Sequence, residues 1–289
     1  MRHIRLPAAM AALLLIGLGN SCSSSSEPAT GPDKLTITTS VKPREVRDYK
    51  IDAVVKGKAL VPEIAEPVDL DAAFALKVRH QYSRREGDGL LPLDISLLEG
   101  QVTLNQVQGQ GQKLHITPSL YPKLTVLIDR DWRITDILGM SSSRIAQTIP
   151  GISYGNHIML FYLQGGDQPR APGDKWEWSV KIPSLGETYN FASTLVSEQV
   201  VDGVRAAVVR QEIVRPAKDD PQGQSSAMKA TAESAFAIDD GRLLKSHVEC
   251  EVTFGRKSAS ESKPTSRQDN AALRANIKVD ISLAKPLSF

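Results

Sequence analysis

Apolar and polar residues alternate along most of the chain with a period of two. In residues 49–55, Tyr49, Ile51, Ala53 and Val55 fall on one side and Lys50, Asp52 and Val54 on the other. Residues 74–82 repeat the pattern and put His80 and Tyr82 in phase with Phe74, Leu76 and Val78. Further segments predicted as strands are 93–98, 101–107, 113–117, 124–128, 133–138, 175–182, 189–201, 205–214, 230–238, 243–254 and 273–283. Alternation with one apolar side describes antiparallel sheet covered on one face. No helical pattern interleaves regularly with these segments, which argues against a parallel α/β sheet. The expected fold class is mainly β, with curved antiparallel β-meander sheets forming a half-barrel. The best helical stretch, 142–164, is split by Pro150 and Gly151.

A weak echo runs through the chain. Residues 124–138 and 235–248 share a layout of strand, Asp-containing turn, strand. Asp240-Gly241 is a hairpin signal. Asp129 and Asp131 serve the same end by bonding their own backbone. The expected organisation is therefore two related β-meander units, 34–140 and 165–289, joined by a short helical connector at 141–164. Two polar segments, 216–226 and 255–270, are expected as exposed loops from their Ser, Lys, Pro and Gln content.

The N-terminus has a different character. A basic start with Arg2 and Arg5 precedes an apolar run from 6 to 18, then Gly19-Asn20-Ser21-Cys22 and four serines. The apolar run is too short to span a bilayer and reads as an export signal. A cysteine directly after small residues resembles bacterial lipoprotein signals, in which that cysteine is acylated. The match departs at Gly19, where leucine is usual. The resemblance implies lipidation at Cys22, a signal peptide at 1–21 and a flexible tether at 22–33. Ser23 after the cysteine implies passage to the outer membrane. Ordinary secretion with a cut near Ser21 is the rival reading.

Charge and cysteine content narrow the function. The formal net charge is +2, and loss of Arg2 and Arg5 with the signal brings it to about zero. Nucleic acid is not an expected partner. The only other cysteine, Cys250, alternates in phase with Val248, Val252 and Phe254 and is expected as a buried structural thiol.

Candidate chemistry is sparse. Gly151-Ile152-Ser153-Tyr154-Gly155 fits the G-x-S-x-G nucleophile pattern. That motif needs a strand entering the serine, and Pro150 breaks one. Its acid and base would come from an Asp and from His157 or His247. Ser226-x-x-Lys229 and Ser260-x-x-Lys263 lack companion motifs. The five histidines show no metal-ligand spacing, and Asp129 and Asp131 lack the glycine and distal glutamate of a calcium loop. No cofactor, metal or catalytic residue is expected. Trp176 and Trp178 share a face and read as core or rim anchors. Residues 157–163, the most apolar run after the signal, read as a plug filling the open side of a curved sheet.

Gly173-Asp174-Lys175-Trp176 and Phe236-Ala237-Ile238-Asp239-Asp240-Gly241-Arg242-Leu243 open and turn the second meander. Their layout resembles β-rich bacterial lipoproteins, distantly similar to the LolA-like lipoprotein-carrier half-barrel. The resemblance implies a sheet that holds acyl chains or hydrophobic peptides, and it carries no site residue across. The expected function is an exported, lipid-anchored cell-envelope protein acting as a non-catalytic binding or scaffold module. It would touch the membrane through its N-terminal lipid and bind a hydrophobic ligand or an envelope protein. The alternatives are an exported serine hydrolase using Ser153 and a purely structural envelope lipoprotein.

Overall fold

The computed structural model describes residues 34–59, 67–85, 87, 89–104, 112–118, 123–139, 158–163, 165, 167–219, 224–256 and 271–284. The signal and tether with Cys22, the G-x-S-x-G segment with Ser153, and most of the expected connector lie outside these residues. Twelve strands follow in chain order: β1 (Val46–Ala59), β2 (Val68–Tyr82), β3 (Leu91–Leu104), β4 (Gln112–His115), β5 (Leu124–Ile128) and β6 (Ile134–Leu138), then β7 (Lys175–Ile182), β8 (Glu187–Val201), β9 (Val204–Asp219), β10 (Gln224–Ala237), β11 (Leu243–Arg256) and β12 (Ala271–Leu283).

All twelve belong to one antiparallel sheet in the order β6-β5-β3-β2-β1-β12-β11-β10-β9-β8-β7, with β4 also paired to β3. The meander of 34–140 and that of 165–289 are thus halves of one sheet, joined where β1 pairs β12. The sheet curls until its edge strands approach. Ser184, in the turn after β7, donates its backbone N–H to Asp136 Oδ1 at 3.1 Å and its hydroxyl to the Ile137 carbonyl at 2.7 Å. Ladder hydrogen bonds do not join β6 to β7 among the described residues. The result is a nearly closed, barrel-like sheet.

Strand positions follow the alternation closely, with two corrections. The segments expected at 93–98 and 101–107 are one strand, β3. Its pairing with β2 shifts register near Lys77 and Val78, so an extra β3 residue lets the strand bend without stopping. Gly100 sits at this bend, and a Cβ there would lie 2.9 Å from Ile116 Cβ. The first half of β3 pairs with β5 and the second with β4. The second correction concerns 216–226, expected as a loop: β9 runs to Asp219 and β10 starts at Gln224. Pro216 is tolerated because it falls where the β9–β10 register shifts, at a bulge that asks for no N–H. Polar composition cannot separate a loop from a long hairpin that extends past the core.

The turns keep their expected chemistry. Asp129 Oδ1 accepts the backbone N–H groups of Asp131 and Arg133, both at 2.9 Å. Gly241 takes a positive φ of 67° in the β10–β11 turn.

The core lies inside the curl. Buried Leu93, Ile95, Leu124, Val126, Ile137, Ile182, Tyr189, Leu195 and Phe236 are contributed by both halves. Residues 158–163 fill the space between them, and Ile158, Met159, Leu160, Phe161 and Leu163 are all buried. Each such side chain contributes about 1.5–3 kcal/mol of burial. The leading segment 35–41 crosses the same end, where Thr38 N–H donates to the Ile238 carbonyl at 2.9 Å and Ile37 joins the core.

Candidate functional site

The inner face changes character along the strands. At the end carrying the β2–β3, β5–β6 and β10–β11 turns it is sealed by residues 158–163. Phe161 meets Tyr49 edge-on, with ring centroids 5.0 Å apart, and packs on His80 at 4.7 Å. The Tyr162 hydroxyl lies 3.0 Å from His80 Nδ1. Arg47, in phase with Tyr49 on β1, is buried and bonds Glu45 Oε1 at 2.7 Å. Its guanidinium lies 5.1 Å from the centre of the Tyr82 ring.

Burial pushes the Tyr49, Tyr82 and Tyr162 phenols above their usual range, so all three are neutral donors at physiological pH. Burial by itself would lower Arg47, but Tyr82, Tyr49 and Glu45 outweigh it and raise its pKa. A cavity of about 20 Å³, lined by Arg47, Tyr49, Tyr82, Trp132 and Tyr162 among others, is the space left here. That is room for one water molecule and no more. The cluster locks the plug to β1 and β2, and chemistry on a substrate has no space in it.

Toward the opposite end, side chains line up across the sheet in rows set by the registers. One row reads Arg215, Met228, Val252, Ala275, Gly57, Leu70 from β9 to β2. The next reads Ile213, Ala230, Cys250, Ile277, Val55, Ala72. A third carries Ala232, Val248, Val279, Ala53, Phe74, Val102 and Leu114 from β10 to β4. Ala53, Val55, Leu70, Phe74, Leu76, Leu104, Ile277 and Val279 are only half-buried, and Leu114 is 41% exposed. Six adjacent strands, β4, β3, β2, β1, β12 and β11, therefore present a contiguous apolar surface inside the curl. Small side chains keep it low. At Gly57 a Cβ would lie 2.1 Å from the Arg274 carbonyl, so glycine is needed for β1 and β12 to approach.

Two buried polar groups lie on the same inner face farther round the sheet, on β9 beyond β10. Arg215, 3% exposed, donates from Nη1 to Ser226 Oγ at 2.9 Å and faces Glu187 Oε1 at 3.4 Å. Its Nε, and Gln211 Nε2 two pleat repeats back along β9, are buried without a hydrogen-bond partner. Glu187 Oε2 in turn accepts the Tyr189 hydroxyl at 2.5 Å.

His80 and Tyr82 do share the apolar face with Phe74 and Val78, and both are buried inside the plug cluster. Cys250 lies on the inner face, and burial pushes its thiol up to about 11. His247 is exposed on the outer face, 2.7 Å from Asp280. Ser226 is on β10, bonded to Arg215. Trp178 stacks on Phe191, with ring centroids 3.5 Å apart, and Trp176 lies under Arg170. Arg47, Arg215 and Tyr162 were not singled out. Their signal was present for both arginines: each is a charge in phase with an apolar row. Among the described residues, His, Cys, Asp and Glu form no cluster of three or more able to hold a metal, and no helix is long and apolar enough to cross a membrane.

No known protein family and no curated protein matches the sequence. A structure described as lipid–protein interactions in lipovitellin aligns with 86% of this chain at 9% identity and a TM-score of 0.46. The chain spans 26% of the length of that protein. DynF, from the dynemicin biosynthesis pathway of Micromonospora chersina, aligns over 89% of this chain and 88% of its own, at 9% identity and a TM-score of 0.24. Neither likeness is close enough to bear on function, and the fold itself is what stands: antiparallel β throughout the described strands, curled into a barrel-like sheet.

Proposed function

We propose that the chain is an exported, lipid-anchored cell-envelope protein whose curled sheet is a non-catalytic module for a hydrophobic ligand. The reading rests on one observation, the contrast between the two ends of the inner face. One end is filled by residues 158–163; the other carries half-buried apolar side chains on six adjacent strands. Contiguous apolar surface of this kind marks a binding site more often than a finished core. Cys22 anchors the chain at the outer membrane through its acyl group, and residues 22–33 serve as tether. The occupant is a hydrophobic molecule or an apolar segment of an envelope partner.

Native mass spectrometry and solvent extraction of the purified full chain test the binding role. A co-purifying apolar ligand is expected. Recovery of ligand-free protein that also takes up no added lipid would decide for a structural envelope lipoprotein, which the filled end of the barrel favours. Metabolic labelling with radioactive palmitate tests the anchor: wild type takes up label and Cys22→Ser does not. Equal labelling of the two would remove the anchor from the proposal.

A further inference from the structure

We propose that the apolar trough holds a long-chain fatty acid, with the Arg215 guanidinium gripping its carboxylate. This rests on the reading that the inner face takes a hydrophobic ligand, and it names the ligand's class. A cation on the inner face of β9 is a costly thing to place there. Taking an arginine out of water is strongly unfavourable unless its donors are met. Among the described residues, Arg215 meets them one-sidedly. Nη1 makes all of its polar contacts: Ser226 Oγ at 2.9 Å, the Ser226 carbonyl at 3.5 Å and Glu187 Oε1 at 3.4 Å. Nε is buried with no hydrogen-bond partner.

Arginine binds carboxylates best edge-on, through two parallel N–H donors. Nη1 is already engaged, so the edge that Nε shares with Nη2 is the one left for an acceptor. Glu187 supplies the resting counter-charge, but its contact is long and its other oxygen is committed to Tyr189. A buried donor without an acceptor calls for an explanation, and a ligand oxygen supplies one.

What lies beside Arg215 fits the rest of such a molecule. Its own row continues through Met228, Val252, Ala275 and Gly57 to Leu70 without another charge. The next row offers Ala230, Cys250, Ile277, Val55 and Ala72. Five strand spacings of about 4.8 Å make a path of about 24 Å, the scale of a long acyl chain. Along it Met228, Val252, Ala275, Ala230 and Ala72 are buried, while Cys250, Ile277, Val55, Gly57 and Leu70 are half-buried, so the accessible part of the path lies on β11, β12, β1 and β2. A neutral lipid would satisfy the trough and leave Nε unmet, so a headgroup acid is the chemistry selected.

Calorimetry on the delipidated full chain carrying Cys22→Ser tests this with hexadecanoate and hexadecanol as probes. The acid is expected to bind about ten- to a hundredfold more tightly than the alcohol, the scale of a charge-assisted hydrogen bond. Arg215→Gln is expected to abolish that preference while leaving hexadecanol binding unchanged. Because this variant removes the positive charge beside Glu187, the double variant Arg215→Gln with Glu187→Gln gives the same reading with the local charge balance kept. Hexadecanoate is also expected to slow alkylation of Cys250, the remaining thiol, several-fold. Equal affinity for acid and alcohol, or a preference that survives both variants, overturns the arginine grip and leaves the hydrophobic-ligand reading standing. Binding with no protection of Cys250 puts the acyl chain elsewhere and overturns the trough. Failure to bind either probe sinks this inference and the hydrophobic-ligand reading together.

Discussion

Arg47 and Asp48 are consecutive on β1 and face opposite ways, so the same strand shows what a charge does inside and outside the curl. Arg47 is buried among tyrosines and paired with Glu45. Asp48 faces outward and takes both ends of the Arg79 fork, Nε at 2.8 Å and Nη2 at 2.9 Å. Arg79's hydrogen bonds hold the Asp48 carboxyl below its usual range. The sign for stability follows: a carboxylate with a lowered folded pKa stabilises above its unfolded value and loses that contribution as pH falls through the folded one. The window lies below about pH 4. Asp48→Asn is therefore expected to cost about 0.2–1 kcal/mol at pH 7 and less at pH 3. Urea unfolding of both proteins at the two values checks this, and a difference undiminished at pH 3 would point to packing instead. Alternation told which way His80 and Tyr82 point. It could not tell what they meet, because Tyr162 lies 82 residues from His80 and no local pattern encodes that contact. The contact between Arg215 and Glu187 was illegible for the same reason.

At the scale of elements, nearly every strand was visible in the alternation, and β5 and β7 span the predicted residues. The departures came where a local signal competes with pairing. Glu99-Gly100 reads as a break but serves as a bend, since β2 holds both halves of β3 in one ladder. Pro216 reads as a loop but sits at a bulge. Gly57 is the glycine on which an element pair depends. Gly57→Ala drives a Cβ to 2.1 Å from the Arg274 carbonyl and 2.7 Å from Ala275 Cα, and neither is the movable end of a side chain. A loss of about 1–3 kcal/mol is expected, as for overpacking generally. The outward-facing neighbour Lys56→Ala is expected to stay within about 0.5 kcal/mol. Equal midpoints in urea for the two variants would mean that β1 and β12 can separate at no cost.

At the scale of the molecule, the sequence indicated curved antiparallel sheet but not that a single sheet runs through both halves. A period of two is the same in a flat sheet, a half-barrel and a nearly closed one. Which strand pairs with which is decided by β1 meeting β12, residues more than two hundred apart along the chain. Removing residues 271–289 tests how much rests on that seam. The truncated chain is expected to lose cooperative unfolding and to aggregate, since both β1 and β11 would be left with a bare, unprotected flank. A monomeric product with an unchanged melting temperature would show that the halves stand alone.

The β1–β12 seam also sets the timing of assembly. Synthesis delivers β1 first and β12 last of the described strands, so the earliest strand waits for its second neighbour until every other strand of the sheet has been made. Long-range closure of that kind slows folding. A chain that closes its sheet late remains pliable for longer, with β1 and its first neighbours exposed until the last pairing forms.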